Sequence, residues 1–102
     1  MEPSTASSTG PETVESKITV RYWASARATA GLEGEQVDAS AALSLAALVD
    51  ALVERHDSPR LRSVLDVCSV LVGDRPAGSG DRAEVWVEPG DSVEFLPPFA
   101  GG

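Results

Sequence analysis

The residue types that could do chemistry gather at one place, Phe95-Leu96-Pro97-Pro98-Phe99-Ala100-Gly101-Gly102. An apolar strand, Val93 to Leu96, runs into two prolines and then into a glycine pair. Pro97 and Pro98 fix φ and hold the residues before them extended. The segment is therefore expected to leave its domain as a stiff stalk. The residues from Pro97 to Gly102 reach at most ~20 Å, at about 3.3 Å each. Gly101 and Gly102 carry no Cβ and could thread a channel too narrow for any other residue. The group at the tip is the α-carboxyl of Gly102. It is ionised at pH 7, because α-carboxyls titrate near about 3.3–3.7. An ionised carboxylate is a poor electrophile, so it must be activated before a nucleophile can displace one of its oxygens. The plain alternative is a frayed, incidental end.

The rest of the composition bounds the setting. A chain of 102 residues with 42% apolar residues makes one domain with a modest core. The net charge of −8 argues against nucleic acid as a partner, since phosphates are neutralised by Lys and Arg clusters. It fits a docking partner with a basic face, or simple solubility. The single cysteine, Cys68, allows no internal disulfide. No apolar run approaches the ~18 residues that span a membrane. The first residues, Met1-Glu2-Pro3, show no basic-then-apolar leader pattern, so a cytoplasmic protein is the expectation.

Elements must hold this tail. Residues 1–16 are mostly Ser, Thr, Pro, Gly and Glu and are expected to be a disordered N-terminal tail. Lys17 to Ala24 alternates, with Ile18, Val20 and Tyr22 on one face and Thr19, Arg21 and Trp23 on the other. Residues 25–34 read as a loop, and Glu35 to Asp38 as a second strand in a hairpin with the first. Ser44 caps a helix whose stripe is Leu45, Leu48, Val49, Leu52 and Val53. That helix ends near His56-Asp57, before Pro59. Leu61 to Leu65 reads as a short turn of helix and Val67 to Val72 as a strand. Gly73 to Asp81 reads as a loop, Ala83 to Glu88 as a strand, Pro89-Gly90-Asp91 as a turn and Ser92 to Leu96 as the last strand. The lone helix must bury its stripe on one face of a mixed sheet. The strand after the helix is expected beside the first, joined by a right-handed crossover. The order predicts an α+β fold, a β-grasp whose four- to five-stranded mixed sheet (residues 17–96) wraps one main helix. Residues 97–102 form its extended C-terminal tail.

A β-grasp domain ending in Gly-Gly resembles the ubiquitin-like sulfur carriers, the MoaD/ThiS family, over residues 17–102. Three segments carry the resemblance. They are Tyr22-Trp23-Ala24-Ser25-Ala26-Arg27, Gly90-Asp91-Ser92-Val93, and the ending Pro97-Pro98-Phe99-Ala100-Gly101-Gly102. The diproline looks more like the small subunit of molybdopterin synthase than like the thiamine-pathway carriers. Ala28 stands where the family often has Glu, and Val72-Gly73 where it often has Val-Asn. The resemblance implies a carrier rather than an enzyme. A ubiquitin-activating-type enzyme would use ATP to adenylate Gly102, sulfur would replace AMP to give a thiocarboxylate, and a large synthase subunit would receive the tail. No permanently bound cofactor and no metal are implied. The partner-binding residues would be Trp23, Leu96, Pro97, Pro98, Phe99, Ala100 and Gly101. Trp86 is expected to share the outer face with Trp23.

Other residues carry less. His56 is expected to complement the helix dipole or to be solvated. Cys68 is expected to be inert core. Gly73, Gly78 and Gly80 lack the Lys-Ser/Thr of a phosphate loop, and the acidic residues show no metal spacing. Arg27 either serves the family role or anchors its loop. Three rival functions stay open: a carrier for thiamine, cysteine or a specialised metabolite, a ubiquitin-like modifier joined to lysines, and an interaction module with an incidental tail.

Overall fold

The alternation of Ile18, Val20 and Tyr22 builds strand β1 (Lys17–Tyr22), and all three side chains are buried. The structure is a computed structural model that describes residues 16–78 and 80–98. The expected N-terminal tail up to residue 15 lies outside the described residues. Strand β2 (Gly34–Asp38) pairs antiparallel with β1 and sets Val37 opposite Ile18. On the other flank β1 meets β7 (Ser92–Leu96) in parallel, with Tyr22 beside Phe95. Strand β4 (Ser69–Val72) lies antiparallel to β7, and β5 (Arg75–Pro76) closes that edge. The order is β2-β1-β7-β4-β5.

This corrects one expectation. The strand after the main helix does not lie beside β1; the last strand does. The centre is taken by the strand carrying Val93 and Phe95, both fully buried, whereas Val70 and Val72 of β4 keep slight exposure.

Among the described residues three helices pack in this fold, where one main helix was expected. The main helix, α2 (Leu45–His56), begins as expected, with the Ser44 hydroxyl accepting from the Ala47 N–H. Leu45, Leu48, Val49 and Leu52 are buried, and Val53 packs at the margin of the core. Asp57 ends it in the left-handed region at φ 51°, returning its N–H to the Glu54 and Val53 carbonyls. The expected short turn at Leu61 is a full helix, α3 (Pro59–Asp66), because Ser58 caps it and Pro59 is tolerated in its first turn. It buries Leu61 and Leu65. The expected loop at 25–34 is in large part a helix, α1 (Ala24–Ala30). Four alanines, the best helix formers, outweigh Ser25 and Thr29, and Ala26 is fully buried. Gly31 stops it at φ 83°.

The strand expected over Ala83–Glu88 is a 3-10 turn, Arg82–Glu84, followed by only two strand residues, β6 (Trp86–Val87). The Asp81 carboxylate accepts from the Ala83 N–H and coils the segment before it can extend. Strand β6 pairs with β3 (Leu43–Ser44) in a ribbon separate from the main sheet.

A polar cluster ties the hairpin to α2. The Tyr22 hydroxyl donates to Glu35 Oε2 at 2.6 Å, His56 Nε2 lies 2.6 Å from the same oxygen, and Arg55 donates to Oε1 at 2.8 Å. Arg55 also donates to the Gln36 carbonyl. His56 is therefore neither solvated nor only a dipole partner, because the hairpin brings a carboxylate to it. Burial alone would raise the Glu35 carboxyl. The hydrogen bonds from His56, Tyr22 and Arg55 outweigh it and hold the group below its ordinary value. Burial, and then the Glu35 carboxylate, push the Tyr22 phenol well up.

Two outcomes follow from this packing. A Cβ on Gly34 would stand 2.5 Å from the Val20 carbonyl oxygen, so Gly34→Ala should lower stability in urea by about 1–3 kcal/mol. Equal midpoints for the two proteins would refute the close approach. The depressed Glu35 pKa contributes stability above the unfolded value of 4.5, and this is lost as pH falls through the folded value. Glu35→Gln should therefore cost most above about pH 5, with the gap to the parent narrowing in acid. A gap independent of pH would contradict the assignment.

Candidate functional site

The tail's mount begins at the turn before β7. Pro89 and Gly90 occupy the middle of a turn closed by the Asp91 N–H donating to the Glu88 carbonyl at 2.9 Å. Gly90 sits at φ 96°, where side chains are strained. The Asp91 carboxylate accepts from the Glu88 N–H at 2.9 Å. The Gly90 N–H donates to the Lys17 carbonyl and the Thr19 N–H to the Asp91 carbonyl, at 2.8 and 3.0 Å. These bonds register β7 against β1. The Gly-Asp pair noted in the sequence is thus the device that aims the last strand.

From there β7 runs through the middle of the sheet. Phe95 stacks on Tyr22 with ring centroids 6.1 Å apart and planes at 22°. The Trp23 N–H donates to the Phe95 carbonyl at 3.2 Å, and Leu96 lies opposite Ser69. Pro97 has no N–H to offer either neighbour, so the paired strand cannot continue. Pro97 is half-buried and Pro98 exposed. Phe99, Ala100, Gly101 and Gly102 lie outside the described residues.

Trp23 and Leu96 are brought together. With Ala24 and Pro97 they line an apolar recess of ≈ 220 Å³ at the root of the tail. Trp23 is 40% exposed, while Leu96 is half-buried. A second recess, ≈ 430 Å³, lies along Leu71, Pro76, Leu96, Pro97 and Pro98. The loop at 73–81 thus reaches the Leu96 side through Pro76 and leaves Trp23 open. Ala24 adopts φ 49°, unusual for a residue with a Cβ, and turns the chain off the sheet directly after Trp23.

Two residues that sequence reasoning passed over fix the indole. Trp23 Nε1–H donates to Glu94 Oε1 at 2.9 Å. The Arg21 guanidinium lies 5.1 Å from the Trp23 ring centroid. Period-two alternation puts Arg21 with Trp23, and Glu94 with Leu96. Their meeting depends on the parallel pairing of Arg21 with Glu94, which the sequence does not announce. Trp86 does not join this face. It sits on the β3–β6 ribbon, 60% exposed, beside Val72, Arg75 and Val85.

The remaining candidates make local contacts. Arg27 pairs with Glu33 at 3.1 Å, both exposed. The Cys68 thiol is buried and donates to the Val64 carbonyl. Burial pushes it up to about 11, which the nearby Arg82 only partly offsets. Among the described residues no group of His, Cys, Asp and Glu could hold a metal ion, and no helix is long and apolar enough to cross a membrane. What the geometry offers is a rigid mount with an apolar surface beside it.

Comparison with known proteins agrees with this architecture. The ThiS family model matches residues 20–102. The molybdopterin synthase sulfur carrier subunit of Aspergillus niger is 31% identical over 83 residues, 81% of this chain and 91% of the relative. The H. volcanii small archaeal modifier protein 1 superposes with a TM-score of 0.66 at 23% identity, over 81% of this chain and 98% of that one. The complex of subunits 1 and 2 of molybdopterin-converting factor from Helicobacter pylori contains a chain matched at TM-score 0.55 and 23% identity, over 84% of this chain and 99% of that one. The fold is the ubiquitin-like β-grasp, with three helices among the described residues.

Loss of the Glu94 acceptor should loosen the indole. In a Trp86→Phe background, Glu94→Ala should make Trp23 fluorescence more quenchable by acrylamide, at a stability cost near ~1 kcal/mol. Unchanged quenching would show that Glu94 does not hold the ring.

Proposed function

This chain belongs to the ThiS family, and from that premise we propose that it is a sulfur carrier whose reactive group is the carboxyl of Gly102. The family match reaches Gly102 itself, and the strand before the tail is locked in the centre of the sheet beside an apolar recess. That juxtaposition carries the reading. A stalk can deliver its tip into another protein's site only if its base is fixed and the surface around the base can dock.

A carboxylate oxygen of Gly102 attacks the α-phosphate of ATP in a ubiquitin-activating-type enzyme and pyrophosphate leaves. Sulfide, HS⁻, then attacks the acyl carbon, the bond to the AMP oxygen breaks, AMP leaves with that electron pair, and a thiocarboxylate remains once the S–H proton passes to the buffer. ATP is consumed by the partner and no cofactor stays bound here. The chain acts as a donated reagent, and catalytic groups are supplied by its partners.

The receiving partner we propose is the large subunit of molybdopterin synthase, in molybdenum cofactor biosynthesis and in the cytoplasm. The name of the A. niger relative and the H. pylori two-subunit complex support this. Trp23, Leu96, Pro97 and Pro98 would meet that subunit at its surface, with Phe99, Ala100 and Gly101 leading Gly102 inward. An apolar patch built round a tryptophan is a suitable anchor. A second reading, a modifier joined through Gly102 to lysines, is favoured by the likeness to the archaeal modifier. It shares the adenylation step and would leave isopeptide-linked Gly-Gly remnants on cellular lysines.

Intact mass spectrometry tests the proposal. The chain, incubated with ATP, a sulfur source and its host's adenylating enzyme, should gain the mass of one oxygen replaced by sulfur. An alkylating agent that traps thiocarboxylates should consume that species. An unchanged mass under these conditions would overturn the carrier reading.

A further inference from the structure

Among the described residues the large apolar side chains left exposed are Trp23, Val67 and Trp86. Both tryptophans of the chain are in that group. Trp86 owes its exposure to its strand. Val87 is fully buried, so alternation turns Trp86 outward, where 60% of it meets solvent. Across the ribbon stands Ser44, whose small side chain covers little of an indole. A single exposed indole would need no explanation. The surface that joins Trp86 to Trp23 gives it one.

Three recesses adjoin through shared residues. Leu96 and Pro97 line both the recess beside Trp23 and the one along Leu71 and Pro98. Pro76 lines that second recess and also a third, of ≈ 210 Å³, with Arg75 and Trp86. A continuous surface therefore runs from Trp23 across the root of the tail and round the β5 edge to Trp86. Strand β1 lies on one flank of β7, and β4 and β5 on the other. The two indoles thus stand on opposite sides of the tail's strand, Trp23 on the sheet face and Trp86 beyond its edge.

Scale decides whether one partner can cover both. Leu96 lies opposite Ser69, Val93 opposite Val72, and Val72 opposite Arg75. At about 3.3 Å per residue and about 4.8 Å per strand, Arg75 is ~14 Å from Leu96 on the diagonal. A standard interface covers roughly 800 Å² of each partner, a disc of ~16 Å radius. A partner centred on Leu96 and Pro97 therefore reaches Arg75 and the recess it shares with Trp86. Tryptophan and arginine are among the residues most enriched where binding energy concentrates.

We propose that Trp86 is a second anchor for the protein that receives the tail, the large synthase subunit of the reading above, on which this inference rests. That subunit grips the chain on both sides of β7, at Trp23 over the sheet and at Trp86 round the β5 edge. One anchor would leave the chain free to pivot about it. Two anchors set the direction in which the root of the tail is presented.

The test labels the full chain with fluorotryptophan, which marks both indoles, and assigns their fluorine NMR resonances with Trp23→Phe and Trp86→Phe. Unlabelled large subunit from the same host is then titrated in. Both resonances should shift and lose their sensitivity to heavy water as the indoles are covered. Trp86→Ala should weaken binding by about 10-fold or more, the scale of a hot-spot tryptophan. Its melting temperature should match the parent's, because the side chain is mostly in solvent. A Trp23 resonance that moves while that of Trp86 stays, or an unchanged Kd for Trp86→Ala, would overturn the proposal. So would a Trp86 resonance that moves only with the adenylating enzyme. A wild-type chain that does not bind the large subunit at all would overturn the choice of partner and this inference with it. The carrier chemistry is decided separately, by the mass shift with ATP.

Discussion

Strand β7 is bonded on both flanks, to β1 in parallel and to β4 antiparallel. The features near the end of the chain take their positions from those two ladders. A terminal strand at a sheet edge would be free to fray, and a tail rooted on it would point many ways. Here the strand can leave only by unpairing two neighbours and exposing Val93 and Phe95, both fully buried. Burying side chains of that size is worth roughly 1.5–3 kcal/mol each. Pro97 then ends the ladder without a gradual transition, since it cannot donate. Fixed strand and departing tail meet within a single residue.

The same constraint builds the surface. Parallel pairing sets Arg21 beside Glu94, and on the same face beyond them Trp23 and Leu96 line one recess. The indole is thereby held by a hydrogen bond from its own nitrogen and by a cation above its ring. An anchor ordered in advance loses less side-chain entropy on docking, where each immobilised side chain costs about 0.5–1.5 kcal/mol. Beneath it, Tyr22 links Phe95 to the Glu35–His56–Arg55 cluster. The inner face of β1 joins the tail's strand to α2 while its outer face carries Trp23 and the apolar recess beside Leu96.

Much of this was legible in the residues, for identifiable reasons. Alternation in Ile18-Val20-Tyr22 and the stripe Leu45-Leu48-Val49-Leu52 each bury against one partner surface, and such patterns survive folding unchanged. The Ser44 cap and the turn at Gly90 are local chemistry and were equally readable. What failed was decided by competition or by distance. Alanine propensity outweighed the loop-like Ser and Thr of α1, and an aspartate cap coiled residues that otherwise read as strand. The place of β7, and with it the meeting of Arg21, Trp23 and Glu94, depends on which strand takes the centre, and His56 depends on a carboxylate 21 residues away. No local pattern encodes either. The proposed site residues divide the same way: Trp23, Leu96, Pro97 and Pro98 are placed by the sheet, while the four that follow are known from sequence alone.

A tail delivered as a stalk requires that its root be among the most stable parts of the molecule. Native-state amide hydrogen exchange measures this residue by residue. The account predicts that the hydrogen-bonded amides of Ser92–Leu96 exchange with those of β1, in the slowest class, through global unfolding alone. If they instead exchange through a local opening while β1 stays protected, the fixed-root account is contradicted.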